Sequence, residues 1–187
     1  MNNQQTDNKA KYLVKELLGW VAYIAVVCLL MFFIINFVGQ RTRVEGDSMN
    51  PALHNGDNLI VEKISYRFND PDRYDIIIFP YAHAENVYYI KRIIGMPGET
   101  IQITDGYVYI NGELLDEHYG AERMITGGIA EEPIELGEDE YFVLGDNRNH
   151  SADSRDPSVG VLTKDDLIGR AWVRIYPFDD MEVLTHE

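Results

Sequence analysis

Two residues in this chain, Ser48 and Lys91, are of the types that can form a nucleophile and its base. Ser48 lies in the segment Glu45-Gly-Asp-Ser-Met-Asn-Pro. Glycine permits positive φ and proline restricts the residue before it, so this segment favours neither helix nor regular strand. Such a turn can present a hydroxyl beside a free backbone N–H. A turn serine can also simply bond its own backbone, so the segment alone does not establish catalysis.

Lys91 lies in the segment Val87-Tyr-Tyr-Ile-Lys-Arg-Ile-Ile, which predicts a strand. Side chains alternate along a strand, so Lys91 and Arg92 point to opposite faces. One interpretation is that both long side chains reach solvent at a sheet edge. The other is that Lys91 is held in an apolar pocket. Burial would then lower its pKa from about 10.4 and provide a neutral amine as general base.

The elements around these residues are predicted to be mostly β. Strands are expected at residues 59–64, 74–79 and 141–144, where short apolar runs are bounded by turn residues. A type II turn at residues 96–99 and two hairpin turns predict a β-meander; the hairpin turns are Asp105-Gly and Asn111-Gly. Residues 116–140 are acidic and irregular, so residues 100–140 as a whole are expected to form a small hairpin and a solvated excursion.

A membrane-spanning helix is predicted before the β-rich part. Residues 17–38 are almost wholly apolar, and 22 residues of helix span roughly 33 Å, enough for a hydrocarbon core of about 30 Å. A cleavable signal peptide has a shorter apolar run that ends in small residues, whereas this run ends Ile-Ile-Asn-Phe-Val-Gly-Gln. The segment is therefore interpreted as a retained anchor.

The predicted organisation is a cytoplasmic tail at 1–16, an anchor at 17–38 and an extracytoplasmic domain at 39–187. Three basic residues before the anchor and two just after it weakly favour a cytoplasmic N-terminus. The chain carries a net charge of −15, of which residues 1–16 contribute +1. So acidic a domain is not expected to bind nucleic acid. The single cysteine, Cys28, excludes an intrachain disulfide.

A third polar segment runs Gly145-Asp-Asn-Arg-Asn-His-Ser-Ala-Asp-Ser-Arg-Asp. Its many Asp, Asn and Ser residues are compatible with an elaborate turn held by side-chain-to-backbone bonds. A calcium loop is another possibility, but the acidic residues lack the EF-hand spacing and Arg148 occupies a ligand position. No metal or other cofactor is predicted.

Three segments together resemble, in order, the motifs of bacterial type I signal peptidases. They are Ser48-Met-Asn-Pro-Ala-Leu, Lys91-Arg-Ile-Ile-Gly-Met-Pro-Gly-Glu and the segment 145–155. The resemblance covers the anchor and residues 39–177, in the compact form of the family. It implies a signal-peptidase-like β-sheet catalytic domain behind one transmembrane helix. It also implies a membrane serine endopeptidase that cuts secretory preproteins after small residues, of the Ala-x-Ala kind.

The resemblance assigns roles to particular residues. Ser48 is implied as the nucleophile and Lys91 as the general base, acting through an acyl-enzyme. Ser151 is implied to hydrogen-bond and orient the lysine, with Asp153 and Arg155 as an ion pair bracing the loop. The backbone N–H of Ser48 would be an oxyanion donor.

One departure and one set of pocket residues complete these expectations. Some relatives place a hydroxyl two residues before the nucleophile as a second oxyanion donor. Here that residue is Gly46, so a main-chain N–H or water must serve. The positions that correspond to the family's shallow substrate pockets are apolar: Val44, Met49, Leu53, Ile78, Tyr89 and Ile90.

Two other functions remain open at this point. A Ser-His-Asp hydrolase could use His54 or His150, but the chain has no G-x-S-x-G nucleophile elbow and this leaves Lys91 unexplained. The other is a catalytically inactive, membrane-tethered peptide-binding module of the same fold. Retention of both Ser48 and Lys91 favours the enzyme.

Overall fold

A computed structural model describes residues 2–33, 39–120 and 122–184 of the protein. The chain divides into two compact units, Met1–Val38 and Gly39–Glu187. The first contains the helix α1, and the second contains the β-sheets.

Helix α1 spans Asn2–Phe33, so it begins well before the predicted anchor. Lys, Ala, Leu and Glu in residues 9–16 favour helix, which explains the longer element. Within it, Leu13–Phe33 is long and apolar enough to cross a membrane, with 21 residues and a mean hydropathy of 2.2. The last five residues of the predicted anchor, 34–38, lie outside the described residues.

The β-rich unit has twelve strands within its described residues. They are β1 (Gly39–Arg43), β2 (Asn58–Glu62), β3 (Ile76–Pro80), β4 (Tyr88–Gly95), β5 (Thr100–Thr104), β6 (Tyr107–Ile110), β7 (Glu113–Leu114), β8 (Ile134–Glu135), β9 (Glu140–Leu144), β10 (Leu162–Thr163), β11 (Gly169–Tyr176) and β12 (Glu182–Val183). The larger sheet has the order β1-β2-β11-β3-β4-β9-β10, with β12 beside β11. The smaller sheet has the order β7-β6-β5-β8, and the paired strands are antiparallel. A mostly-β domain that follows one apolar helix along the described chain confirms the predicted fold class.

The strand β4 lies inside the larger sheet, between β3 and β9. Successive residues of β4 contribute to different apolar clusters: Ile93 packs with Phe79 and Val143, while Ile94 packs with Phe142. Both faces of this part of the sheet are therefore covered, which is why the strand reads as a nearly continuous apolar run.

The predicted turns are present. Asp105 and Asn111 have positive φ angles of 52° and 54°, as the first central residue of a type I′ hairpin turn requires. The turn at 96–99 is closed by a 3.2 Å hydrogen bond from Glu99 N–H to Met96 C=O. The turn at 96–99 connects the larger sheet to the smaller one, and the two hairpin turns join β5 to β6 and β6 to β7 within the predicted meander.

Candidate active site

Lys91 and Arg92 are both buried, with exposed fractions of 4 % and 2 %. Arg92 pairs with both β3 and β9, whereas Lys91 pairs with Ile77 of β3 alone. Because both side chains are almost fully buried, neither reaches solvent, even though β9 does not cover β4 at Lys91. The apolar-pocket interpretation of Lys91 is correct, and the edge interpretation is wrong.

Ser48 sits in a turn that its local sequence closes tightly. Gly46 adopts a φ of +91°, and Asn50 N–H donates to Asp47 C=O at 3.1 Å. Gly46 N–H donates to the side-chain oxygen of Asn55. The turn leads out of β1, whose continuation is held where Val44 N–H donates to Asp57 C=O. Gly46 therefore contributes backbone conformation here, and its own N–H already has an acceptor.

The two predicted catalytic residues meet. Lys91 Nζ donates to Ser48 Oγ at 2.9 Å and to Ile90 C=O at 2.9 Å. The same Nζ lies 5.1 Å from the centre of the Tyr89 ring. When Lys91 is neutral, the Ser48 hydroxyl can instead donate to Nζ along the same contact, and the serine proton can pass to the amine.

Burial lowers the pKa of Lys91 from 10.5 to about 8. The negative charges of Asp153 and Asp146 act in the opposite direction, and burial is the larger effect. An amine with this pKa has an appreciable neutral fraction near neutral pH, which a general base needs.

The segment 145–155 lies beside Ser48 and completes the site. Arg155 Nε donates to Asp153 Oδ1 at 2.8 Å, so the predicted ion pair is present. Asp153 Oδ2 also accepts from Gly145 N–H at 3.0 Å. A side chain at Gly145 would lie 2.5 Å from Ser48 C=O and would overlap Ser151 Oγ. Glycine at this position is what lets the third segment approach Ser48.

The expected hydrogen bond between Ser151 and Lys91 is absent. Ser151 Oγ is buried and has no partner among the residues that the structure describes. Lys91 Nζ instead donates to Ser48 and to a main-chain carbonyl, which leaves one of the three ammonium protons unassigned. Ser151 therefore does not orient the lysine in this conformation.

A buried ion pair beside Lys91 was missed by the sequence reasoning. Arg92 donates to both carboxylate oxygens of Asp146, at 2.9 and 2.7 Å, and both side chains are almost fully buried. The guanidinium of Arg92 also lies 3.8 Å from the centre of the Tyr119 ring. Burial raises the pKa of Asp146, while the bonds and charge of Arg92 lower it. This pair fixes the start of the third segment to the strand that carries Lys91.

A groove of about 630 Å³ runs past Ser48 and Lys91. Four of the six predicted pocket residues line it: Val44, Met49, Tyr89 and Ile90. Leu53 and Ile78 do not. They are 0 % and 1 % exposed and pack in the apolar cluster beneath Val44 and Met49, so their predicted place in the pocket is wrong. The groove floor is closed by well-packed side chains.

The groove also has lining residues that were not predicted: Thr42, Arg43, Glu45, Asp47, Asn86, Val87, Tyr88, His150 and Ala152. Those in 86–88 precede Tyr89 along the chain, and those in 42–47 precede Ser48. Reading outward from Ser48 and Lys91 along their own segments would have found these residues, whereas His150 and Ala152 flank Ser151 in the third segment.

The histidines do not replace the lysine. Both His54 and His150 are exposed. His150 lines the groove, yet in the described part of the chain the side-chain partner of Ser48 Oγ is Lys91. A Ser-His-Asp arrangement is not formed here.

One edge of β4 is open beside Ser48. β9 pairs with β4 from Arg92 onward, so among the described strands Tyr88–Lys91 have a partner only on the β3 side. Ile93 N–H donates to Asp75 C=O and Tyr81 N–H donates to Val87 C=O, so odd-numbered residues direct their backbone groups to that side. Tyr88 and Ile90 therefore direct theirs into the groove.

Comparison with known proteins agrees with this geometry. The family described as "Signal peptidase, peptidase S26" matches residues 17–176. "Probable signal peptidase I-2" of Synechocystis sp. (strain ATCC 27184 / PCC 6803 / Kazusa) is 41 % identical over 158 residues, 81 % of this chain and 69 % of that protein. "Signal peptidase I T" of Bacillus subtilis (strain 168) is 35 % identical over 96 % of this chain and 95 % of that protein.

A crystal structure of a signal peptidase I from Enterococcus faecalis V583 is 33 % identical, with a TM-score of 0.46 over 55 % of this chain and 97 % of that one. The family match covers most of this chain, and the Bacillus relative is similar over nearly its whole length. The chain therefore belongs to the peptidase S26 family of signal peptidases, which are serine endopeptidases.

Proposed function

We propose that this chain removes signal peptides from secretory preproteins with Ser48 as nucleophile and Lys91 as general base. The observation that carries the proposal is the 2.9 Å contact between Ser48 Oγ and the buried Nζ of Lys91. A serine hydroxyl is a weak nucleophile until a nearby base removes its proton. A lysine whose pKa is lowered to about 8 can do so without a histidine.

The reaction has two stages. Neutral Lys91 takes the proton of Ser48 Oγ as this oxygen attacks the scissile carbonyl, and Ser48 N–H stabilises the resulting oxyanion. Lys91 then gives the proton to the leaving amine of the mature protein, leaving the signal peptide as an ester on Ser48. In the second stage Lys91 takes a proton from water, the hydroxide breaks the ester, and Ser48 recovers its proton from Lys91.

The groove supports an extended substrate. Tyr88 N–H, Tyr88 C=O and Ile90 N–H face the open edge of β4, while Ile90 C=O already accepts from Lys91 Nζ. A peptide lying there would add a short strand and gain main-chain hydrogen bonds beside the nucleophile.

Small residues before the cleaved bond fit this groove. Val44 and Met49 are 3 % and 1 % exposed, so the side chains that line the floor are themselves fully packed. A small side chain can enter above them, whereas a large one would have to displace packed core residues. The groove therefore favours substrates of the Ala-x-Ala kind.

The apolar helix is proposed as the anchor. Leu13–Phe33 can cross a bilayer, and the weak bias of basic residues favours a cytoplasmic N-terminus with residues 39–187 outside. Protease added to intact cells would then degrade the β-rich unit and spare an epitope fused before residue 2. Protection of the β-rich unit would contradict this orientation.

The test is cleavage of a preprotein by the full-length protein in detergent. Ser48→Ala and Lys91→Ala are each expected to lower kcat by roughly a thousandfold or more, because members of a catalytic unit act together. His54→Ala, in which an exposed side chain outside the groove is removed, is the control and should remain active.

Three other outcomes would contradict the proposal. Activity in Lys91→Ala with loss in His54→Ala or His150→Ala would indicate a histidine base. Equal activity in all variants would place the catalytic site elsewhere. Binding of a signal peptide by the wild-type protein without any cleavage would identify an inactive peptide-binding module.

A further inference from the structure

Asn147 holds the backbone on both sides of Ser48. Its side-chain Nδ2 donates to Asp47 C=O at 3.1 Å, and its own backbone N–H donates to Ser48 C=O at 3.0 Å. The residues are 100 positions apart in sequence, so these two bonds join the third segment directly to the nucleophile turn.

Asp47 C=O, which accepts from the Asn147 side chain, belongs to the same peptide unit as Ser48 N–H. This peptide is trans, so its C=O and N–H point in opposite directions in one plane. Asp47 C=O also accepts from Asn50 N–H at 3.1 Å. Two donors on the carbonyl fix the plane of the peptide and therefore the direction of Ser48 N–H.

Ser48 N–H itself has no acceptor among the described residues. It is free to receive the oxygen of a reacting carbonyl. Hydrogen bonds in a chain polarise one another, so the bond from Asn147 to Asp47 C=O also makes Ser48 N–H a stronger donor.

We propose that Asn147 is a positioning residue for the oxyanion. Its side chain donates a hydrogen bond to Asp47 C=O and thereby orients and polarises Ser48 N–H, which belongs to the same peptide. This rests on the proposed role of Ser48 as nucleophile. In this chain Gly46 offers no side-chain donor, and its N–H is already bonded to Asn55. The direction of the Ser48 N–H therefore matters more than it would with a second donor in place.

The third segment does not depend on the Asn147 side chain for its own fold. Asp153 accepts from Gly145 N–H, Arg155 donates to Arg148 C=O, and Arg148 forms two bonds with Glu117. Asn147 is also not among the described residues that line the groove. Removing its amide should therefore leave folding and peptide binding intact.

The experiment compares Asn147→Ala with Asn149→Ala in the full-length protein. Asn149 belongs to the same segment, but its Nδ2 donates to Glu122 and to Arg123 C=O, away from the nucleophile. Asn147→Ala is expected to lower kcat about tenfold with KM unchanged, as for the loss of one hydrogen bond made to the reacting peptide. Asn149→Ala should keep the wild-type kcat.

A second measurement separates positioning from general structure. A peptide aldehyde ending in alanine forms a tetrahedral adduct with Ser48, whereas the corresponding peptide amide binds without one. Asn147→Ala should weaken aldehyde binding by the same factor as kcat and leave amide binding unchanged. Asn147→Asp keeps the shape but removes both side-chain donors, so its loss should be at least as large.

Wild-type kcat in Asn147→Ala, or equal weakening of aldehyde and amide binding, would overturn the inference. A fall in unfolding temperature that parallels the fall in kcat in both variants would do the same. Ser48→Ala, measured alongside, separates the two ideas. If Ser48→Ala is inactive and Asn147→Ala is unchanged, only the positioning role fails; if Ser48→Ala is active, the proposed function itself fails.

Discussion

Lys91 Nζ and Ser48 Oγ are 2.9 Å apart, although 43 residues separate them in sequence. Each comes from a different kind of element: the lysine from an interior strand, the serine from a turn. The sheet brings them together because the third segment packs against both, through Asp146 on Arg92 and Asn147 on Ser48.

Activity should rise with pH. In the proposed mechanism only neutral Lys91 can accept the serine proton, and burial lowers its pKa to about 8. We expect kcat/KM for a preprotein to increase about tenfold per pH unit below that value and to level off above it. A profile that is already level at about pH 6 would contradict a lysine base.

Removing the buried amine of Lys91 should stabilise the fold at neutral pH. The folded pKa of Lys91, about 8, lies below its unfolded value of 10.5, so the unfolded chain binds the proton more readily. The buried amine therefore lowers the free energy of unfolding by about 3 kcal/mol below pH about 8. This destabilisation decreases as the pH rises and vanishes towards pH about 10.5. Lys91→Met also loses two hydrogen bonds of about 1 kcal/mol each, so its unfolding free energy at pH 7 should rise by about 1 kcal/mol.

The measurement for this variant is denaturant unfolding at several pH values. The difference in unfolding free energy between Lys91→Met and the wild type should decrease between neutral and alkaline pH. Lys164→Met is the control, because Lys164 forms a surface ion pair with Asp70 and exposed pairs contribute less than about 1 kcal/mol. An advantage that stays constant with pH would indicate an effect unrelated to the buried charge.

The two residues of the Arg92–Asp146 pair should have non-additive effects on the free energy of unfolding. Arg92→Met leaves a carboxylate buried without its partner, which should lower the free energy of unfolding by about 3–5 kcal/mol. The double variant Arg92→Met/Asp146→Leu should recover most of that loss, because neither charge is then buried. Equal destabilisation in the single and double variants would show that packing, and not charge, dominates.

Two serines of the third segment should respond differently to truncation. Ser154 Oγ accepts from Val143 N–H at 2.9 Å, so Ser154→Ala should destabilise the protein by about 1–3 kcal/mol. Ser151 Oγ has no partner among the described residues, so Ser151→Ala should leave the unfolding temperature unchanged or raise it slightly. A marked fall in Ser151→Ala would reveal a hydrogen bond that this conformation lacks.

Local chemistry made much of the fold predictable. Asp105 and Asn111, each followed by glycine, specified their turns, and short apolar runs specified β3, β4 and β9. The local pattern left Lys91 either exposed at a sheet edge or buried in an apolar pocket, and only the family resemblance implied its role as a base. The turns and strands were predicted correctly because they depend only on neighbouring residues.

The failures involve contacts between distant segments. Nothing near Arg92 indicates that Asp146 is its partner, since alternation along a strand gives a face and no more. Leu53 and Ile78 are apolar like the groove residues, and composition cannot distinguish a groove floor from the layer beneath it. The missing bond of Ser151 depends on side-chain rotation that no sequence pattern encodes.

The open edge of β4 sets a rule for inhibitors. Only alternate residues, Tyr88 and Ile90, turn their amides towards the groove. A peptidomimetic bound there would tolerate N-methylation at every second position and lose affinity at the positions between. A methyl scan along such a compound should therefore show a two-residue period, and that period would report the register in which this edge holds a ligand.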